Sequence, residues 1–173
     1  MRTILLAFAA LALTAATAYT ETSSADQILL QAKNKATAEQ KTIFLHFGAS
    51  WCGWCKRLDA FLDRPDIKSV FEKYFVPVKL VVQENDKHKS LENPGADALL
   101  RKLGGPAGLP YSAFLNAKGD LIVTSKLAGN NIGYPGEPNE IDYFIVMMKK
   151  AASRMSDQDL KVIETALRSF KRT

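Results

Sequence analysis

The stretch Ser50 to Lys56, "SWCGWCK", holds both cysteines of the chain, Cys52 and Cys55, interleaved with Trp51 and Trp54. Such a pair is a redox couple, half of a metal site, or two small apolar residues in a core. Stapling explains it poorly. The entropic effect of a disulfide grows with the loop it closes, and a two-residue spacer constrains the unfolded chain little.

Working outward, Thr42 to Phe47 is short, apolar and rich in strand formers, and predicts a buried strand. From about Gly53, the stripe Leu58, Phe61 and Leu62 predicts a helix that stops before Pro65. Asp66 to Tyr74 reads as a further helical piece and Phe75 to Val82 as the next strand. Two parallel strands joined by a helical crossover form a βαβ unit, with the cysteines where the first strand hands over to the helix.

The rest alternates in the same way. Ser24 with Gln27 is a capping-box pattern, and Ala25, Ile28, Leu29, Ala32 and Ala36 recur at helical spacing. Gln83 to Asn93 is polar and predicts a loop, followed by a turn at Asn93 to Gly95 and a helix over Ala98 to Leu103. Tyr111 to Asn116 and Leu121 to Ser125 read as strands joined by a tight turn. Leu127 to Pro138 reads as a loop; then Ile141, Phe144, Ile145, Met148, Ala152 and Met155 mark a long helix. Ser156 with Asp159 starts a last helix, striped by Leu160, Ile163, Leu167 and Phe170.

The chain has 173 residues, 47% hydrophobic and 24% charged, enough for one domain with a real core. Its first stretch does not belong to that core. Arg2, the apolar run Ile4 to Leu13 and the small residues Ala16 to Ala18 read as an export signal, residues 1–18, ahead of one domain over 19–173. The run is shorter than the roughly 20 residues a membrane span wants, so no stable insertion is expected after cleavage. No cysteine follows it closely enough for a lipid anchor. The formal charge of +5 is scattered among acids, as in Asp86 to Lys89, and forms no basic stripe, which argues against nucleic acid.

Strand, Trp-Cys-Gly-x-Cys-Lys, helix, strand, then Gly-Leu-Pro before a hairpin and a final helix resembles the thioredoxin superfamily. The stretches "IFLHFGASWCGWCKRL" and "NPGADALLRKLGGPAGLPYSAFLNAKGDLI" carry the likeness, which is greatest to exported proteins with a thioredoxin-7-type domain. The resemblance implies an α/β thioredoxin-like fold, a central mixed β-sheet flanked by helices, with N-terminal and C-terminal helical extensions. It also implies Cys52 as the attacking thiol, Cys55 as the resolving thiol, and a cis-proline at Pro110. Leu109, just before it, would offer its backbone to a substrate strand.

The chemistry asks for the same asymmetry. Exchange needs a thiolate, and a helix N-terminus stabilises one through unpaired N–H groups and the helix dipole. Cys52 sits at that junction; Cys55, a turn further in, is expected to be shielded. Trp51, Gly53 and Trp54, with Leu109 and Pro110, are the expected substrate-binding residues. Trp54 reads equally as cover for the helix start.

His46 stands where thioredoxin has a buried aspartate, six residues before the first cysteine. Two readings of it stand side by side: a proton acceptor for Cys55, or a hydrogen-bonded core histidine. His88 lies in a charged loop and is expected to be solvated.

The leading expectation is an exported oxidoreductase acting on protein disulfides, with a membrane or soluble redox partner. It needs no cofactor beyond the Cys52–Cys55 disulfide, and no metal. Gly53-Trp54 sets neither a potential nor a direction. Two alternatives remain open on the sequence. One is a soft-metal, copper(I)-binding or metallochaperone module on the same cysteines, although zinc generally wants four ligands. The other is a non-catalytic binding protein on the same fold, using Leu127 to Pro138 and the added C-terminal helix.

Overall fold

The structure, a computed structural model, describes residues 22–105 and 108–169. The expected export signal and Phe170 lie outside the described residues. Ser24 closes a capping box with Gln27 and starts α1 (Ala25–Glu39). Then follow β1 (Thr42–Gly48), α2 (Gly53–Leu62), α3 (Pro65–Phe71), β2 (Phe75–Val81) and α4 (Ala96–Lys102). The chain continues through β3 (Tyr111–Leu115), β4 (Leu121–Thr124), β5 (Lys126–Leu127), β6 (Asn130–Asn131), α5 (Pro138–Ala151) and α6 (Asp157–Ser169).

The main sheet runs β2-β1-β3-β4, with β1 parallel to β2 and antiparallel to β3, so it is mixed, as expected. β1 is central and buried from Ile43 to Gly48, which is why its sequence is apolar on both sides. β2 is an edge strand, where Pro77 costs no ladder donor that matters, and Pro77 and Lys79 are exposed.

Alternation divides the core in two. Ile43, Leu45 and Phe47 face α1 and α4, whose small residues Ala25, Ala32, Ala36 and Ala96 let the helices approach closely. Phe44, Phe75 and Phe114 face α2, α3, α5 and α6. There Phe44 packs edge-on to Phe71 at 5.2 Å and lies 4.9 Å from Phe114 between ring centroids. The C-terminal helices are fastened to this core: Tyr74 Oη donates to Asp159 at 2.6 Å, and Arg154 lies 5.0 Å over the Tyr74 ring. Among the described residues no helix is long and apolar enough to cross a membrane.

Four local expectations change. The long helix expected to carry Ala152 and Met155 ends at Ala151, with Ala152 as its C-cap. The helix expected over Asp66 to Tyr74 starts at Pro65, at the first position where a missing N–H costs nothing, and ends at Phe71. Gln83 to Asn93 holds a 3₁₀ turn at Asp86–Leu91, built from bonds such as His88 N–H to Asn85 O rather than from an apolar stripe. In the stretch expected as a loop, β5 and β6 pair across Ala128 and Gly129, both at positive φ (48° and 89°). Tight hairpins of that kind favour Asn-Gly or Asp-Gly, and alanine in the first place hides the signal.

Phe44 is fully buried at the centre of the aromatic cluster. Phe44→Ala is expected to cost about 3–5 kcal/mol in urea unfolding, the usual range for an emptied aromatic site.

Candidate active site

β1 ends at Gly48 and α2 begins at Gly53, so the intervening turn brings the cysteines to the helix start. Cys52 is the N-cap, and its Sγ accepts from the Cys55 N–H at 3.1 Å. The sulfurs are bridged, S–S 2.08 Å, with Cα atoms 5.3 Å apart. Cys55 is fully buried and Cys52 is 4% exposed, so the expected difference in shielding is slight in the bridged state. Cys55 reaches this depth because Gly48 lies beneath it. A Cβ there would fall 3.2 Å from Cys55 Cβ and 3.3 Å from its Sγ.

The turn is held from β2's side. Glu84 is buried and accepts from Ser50's backbone N–H and, at 2.7 Å, from its hydroxyl. Burial pushes the Glu84 carboxyl up, but the two Ser50 donors outweigh it and hold it below the ordinary range. Trp51 donates its indole N–H to Gln83 O at 2.8 Å and stays 55% exposed, an anchored apolar face beside the disulfide.

Trp54 is partly packed and partly exposed. One face stacks on Tyr134, centroids 6.0 Å apart and planes 14° apart, while 44% of the residue remains exposed. The Arg57 guanidinium lies 5.8 Å from the Trp54 ring and 5.5 Å from that of Tyr134. At Gly53 an added Cβ would meet nothing within 4 Å, so the helix start is open to an incoming chain.

Opposite, the Leu109-Pro110 peptide is cis. Leu109 packs against Ala49, Cys52 and Cys55. The loop is tied by Asn131, whose Nδ2 donates to Gly108 O at 3.0 Å and Pro110 O at 2.9 Å. Its Oδ1 accepts from Ser125 Oγ at 2.7 Å and from the Gly133 N–H at 3.2 Å. Trp54, Leu109, Ile132, Gly133, Tyr134 and Glu140 line a cavity of about 170 Å³ between Trp54 and this loop.

His46 shares a face of β1 with Phe44 and Gly48 and is buried. Its Nε2 lies 2.9 Å from Asp59 Oδ1, and Lys79 Nζ lies 2.5 Å from Asp59 Oδ2. Burial pushes the Asp59 carboxyl up, but His46 and Lys79 bring it below the ordinary range. His88 is exposed, as expected, beside Asn85.

The structure therefore gathers Cys52, Cys55, Trp51, Gly53, Trp54, Leu109 and Pro110 around one disulfide, and places His46 two residues along β1 from the Gly48 that Cys55 covers. Sequence reasoning missed Asp59, Lys79, Glu84, Asn131 and Tyr134. A signal exists for the first two alone: Asp59 lies four residues after Cys55 on one helix face, and Lys79 pairs with His46 across the parallel ladder.

A family model described as thioredoxin-like matches residues 25–117, from α1 through the cysteines and the cis-proline to the end of β3. The chain belongs to this thioredoxin-like family. Among solved structures, it is similar to a disulphide isomerase from Xylella fastidiosa Temecula1 at 24% identity and TM-score 0.51, covering 86% of this chain and 94% of that one. That likeness bears on the thioredoxin-like fold. A DsbH oxidoreductase matches at 18% identity and TM-score 0.46, over 83% of this chain and 95% of the other. The oxidised DsbD C-terminal domain of Neisseria meningitidis matches at 18% and 0.47, over 74% and 99%. No curated protein matches the chain. β4 to α6 of this thioredoxin-like chain lie beyond the family match.

Two measurements check this arrangement. A carboxyl lowered on folding adds stability that is present above its unfolded pKa, about 4.3, and lost as pH falls through its folded value. Glu84→Gln should therefore flatten the acid limb of stability below about pH 4.3, read by urea unfolding from pH 2 to 7. Asn131→Ala removes four hydrogen bonds at the cis-proline loop. It should cost about 2 kcal/mol or more in the same assay at pH 7.

Proposed function

We propose that this chain is an exported thiol–disulfide oxidoreductase that exchanges electrons with protein disulfides through Cys52 and Cys55. The observation that carries the reading is the Cys52–Cys55 bridge at the start of α2, with Cys52 as N-cap beside the cis Leu109-Pro110 peptide. The Cys55 N–H pointed at Cys52 Sγ stabilises a thiolate there once the bridge is reduced.

Exchange runs in two displacements. Cys52 thiolate attacks a client disulfide; one client sulfur leaves as thiolate and the other stays bonded to Cys52. Cys55 then gives its proton to His46 and attacks Cys52. The Cys52–Cys55 bond forms, the mixed disulfide breaks, and the second client thiolate leaves with the electron pair. Oxidation of a client dithiol is the same path reversed. Trp51, Gly53 and Trp54 line one side of the client's approach, and the backbone at Leu109 and Pro110 pairs with it on the other.

Export rests on the sequence at Met1 to Ala18, and it suits a dithiol that works in an oxidising compartment. There the dithiol needs a redox partner, membrane-bound or soluble, to reset it.

In an insulin-reduction assay, Cys52→Ser should abolish turnover, and Cys55→Ser should accumulate mixed disulfides that survive non-reducing electrophoresis. Equal turnover in the two variants would overturn the assignment of roles. Glutathione equilibration then gives the direction: a potential near thioredoxin's, about −270 mV, marks a reductase, and one near about −120 mV an oxidase.

A further inference from the structure

His46, Asp59 and Lys79 come from three elements, β1, α2 and β2, and meet one turn of α2 beyond Cys55. A carboxylate only accepts hydrogen bonds, so the His46 Nε2 facing Asp59 Oδ1 carries the hydrogen of that contact. The other ring nitrogen, Nδ1, is buried and has no hydrogen-bond partner among the described residues. An N–H there would be an orphaned buried donor, whereas a lone pair there is a base awaiting a proton.

Lys79 makes the arrangement one-sided. Its Nζ occupies Asp59 Oδ2, which leaves Oδ1 to His46. Its Cε lies 3.7 Å from the point where a Cβ on Gly48 would sit, the same point that Cys55 Sγ approaches to 3.3 Å. Along α2, Cys55 covers Gly48 and Asp59, one turn on, meets His46. The thiol to be deprotonated and the carboxylate that orients the base are thus on one helix face.

We propose that Asp59, held by Lys79, is a positioning residue that fixes His46 with its proton on Nε2 and leaves Nδ1 as the acceptor for Cys55 in the resolving step. This rests on the exchange reading above. The Cys55 thiol proton moves to Nδ1, the Cys55 sulfur bonds to Cys52, and the client sulfur leaves as thiolate. His46 then returns the proton to that thiolate, so atoms and charge balance. Asp59 itself takes up no proton.

His46, Asp59 and Lys79 line a cavity of about 350 Å³, whose other charged side chains are Asp63 at the end of α2, Lys68 in α3 and Glu72 at its end. None is hydrogen bonded to His46, so Asp63→Asn and Glu72→Gln serve as charge controls.

The test is ¹⁵N NMR of the imidazole in the oxidised protein, joined to stopped-flow decay of a preformed mixed disulfide on Cys52. Wild type should show the proton on Nε2 and an unprotonated Nδ1. Asp59→Asn presents either a carbonyl or an amide to Nε2, so both ring forms should appear and resolution should slow about tenfold or more. Asp59→Glu should recover most of the rate, and both charge controls should retain the wild-type ring signals.

A wild-type ring protonated on Nδ1, or Asp59→Asn resolving at the wild-type rate, overturns the inference while leaving the dithiol reading standing. Failure of the wild-type mixed disulfide to resolve at all overturns the dithiol reading itself.

Discussion

The dithiol rests on a close contact for which glycine leaves the room. Gly48 ends the central strand directly beneath Cys55, and any side chain there would press on the cysteine's Cβ and Sγ. With that space empty, α2 sits low on the sheet, both cysteines are buried, and Cys52 is the helix cap. The turn between them is short, so its shape must be enforced from outside. Glu84 does this by taking both polar groups of Ser50, and Gln83 by receiving the Trp51 indole. Both come from the segment after β2, so the βαβ unit closes on itself around the cysteines.

The same descent of α2 brings a carboxylate to the core. Asp59 is half-buried, and an isolated charge at such a site would be costly. Here it is divided between His46, from the strand beneath, and Lys79, from the strand alongside. Where thioredoxin carries a buried aspartate on the strand, this chain puts the carboxylate on the helix and an imidazole on the strand. Within this group, His46 Nδ1 is buried without a hydrogen-bond partner among the described residues, and His46 shares a face of β1 with the Gly48 that Cys55 covers.

How much of this was legible follows from range. β1, α2 and β2 are written in local patterns: an apolar run, a helical stripe, a second apolar run. The position of the cysteines between them follows directly, and so does Gly-Leu-Pro before β3. The stripe of alanines announces a helix laid close on the sheet, and α1 is one. What sequence conceals is polar partnership over distance. Ser50 and Glu84 are 34 residues apart, and Asn131 reaches back 23 residues to Gly108. No periodicity marks such residues, because each works by a single oriented atom rather than by a repeating face. Tyr134 is hidden for a related reason: in a Gly-Tyr-Pro-Gly stretch it reads as a loop aromatic, yet it is the platform on which Trp54 stacks.

One face of the sheet, carrying Phe44 and Phe114, is roofed by α5 and α6, the last elements of the chain. A ribosome releases the polypeptide N-terminus first. The βαβ unit that bears the cysteines is therefore synthesised well before its roof, and its aromatic side has only α2 and α3 to lie against until α5 and α6 emerge. The aromatic core on that side is thus completed late, with the closing of the fold.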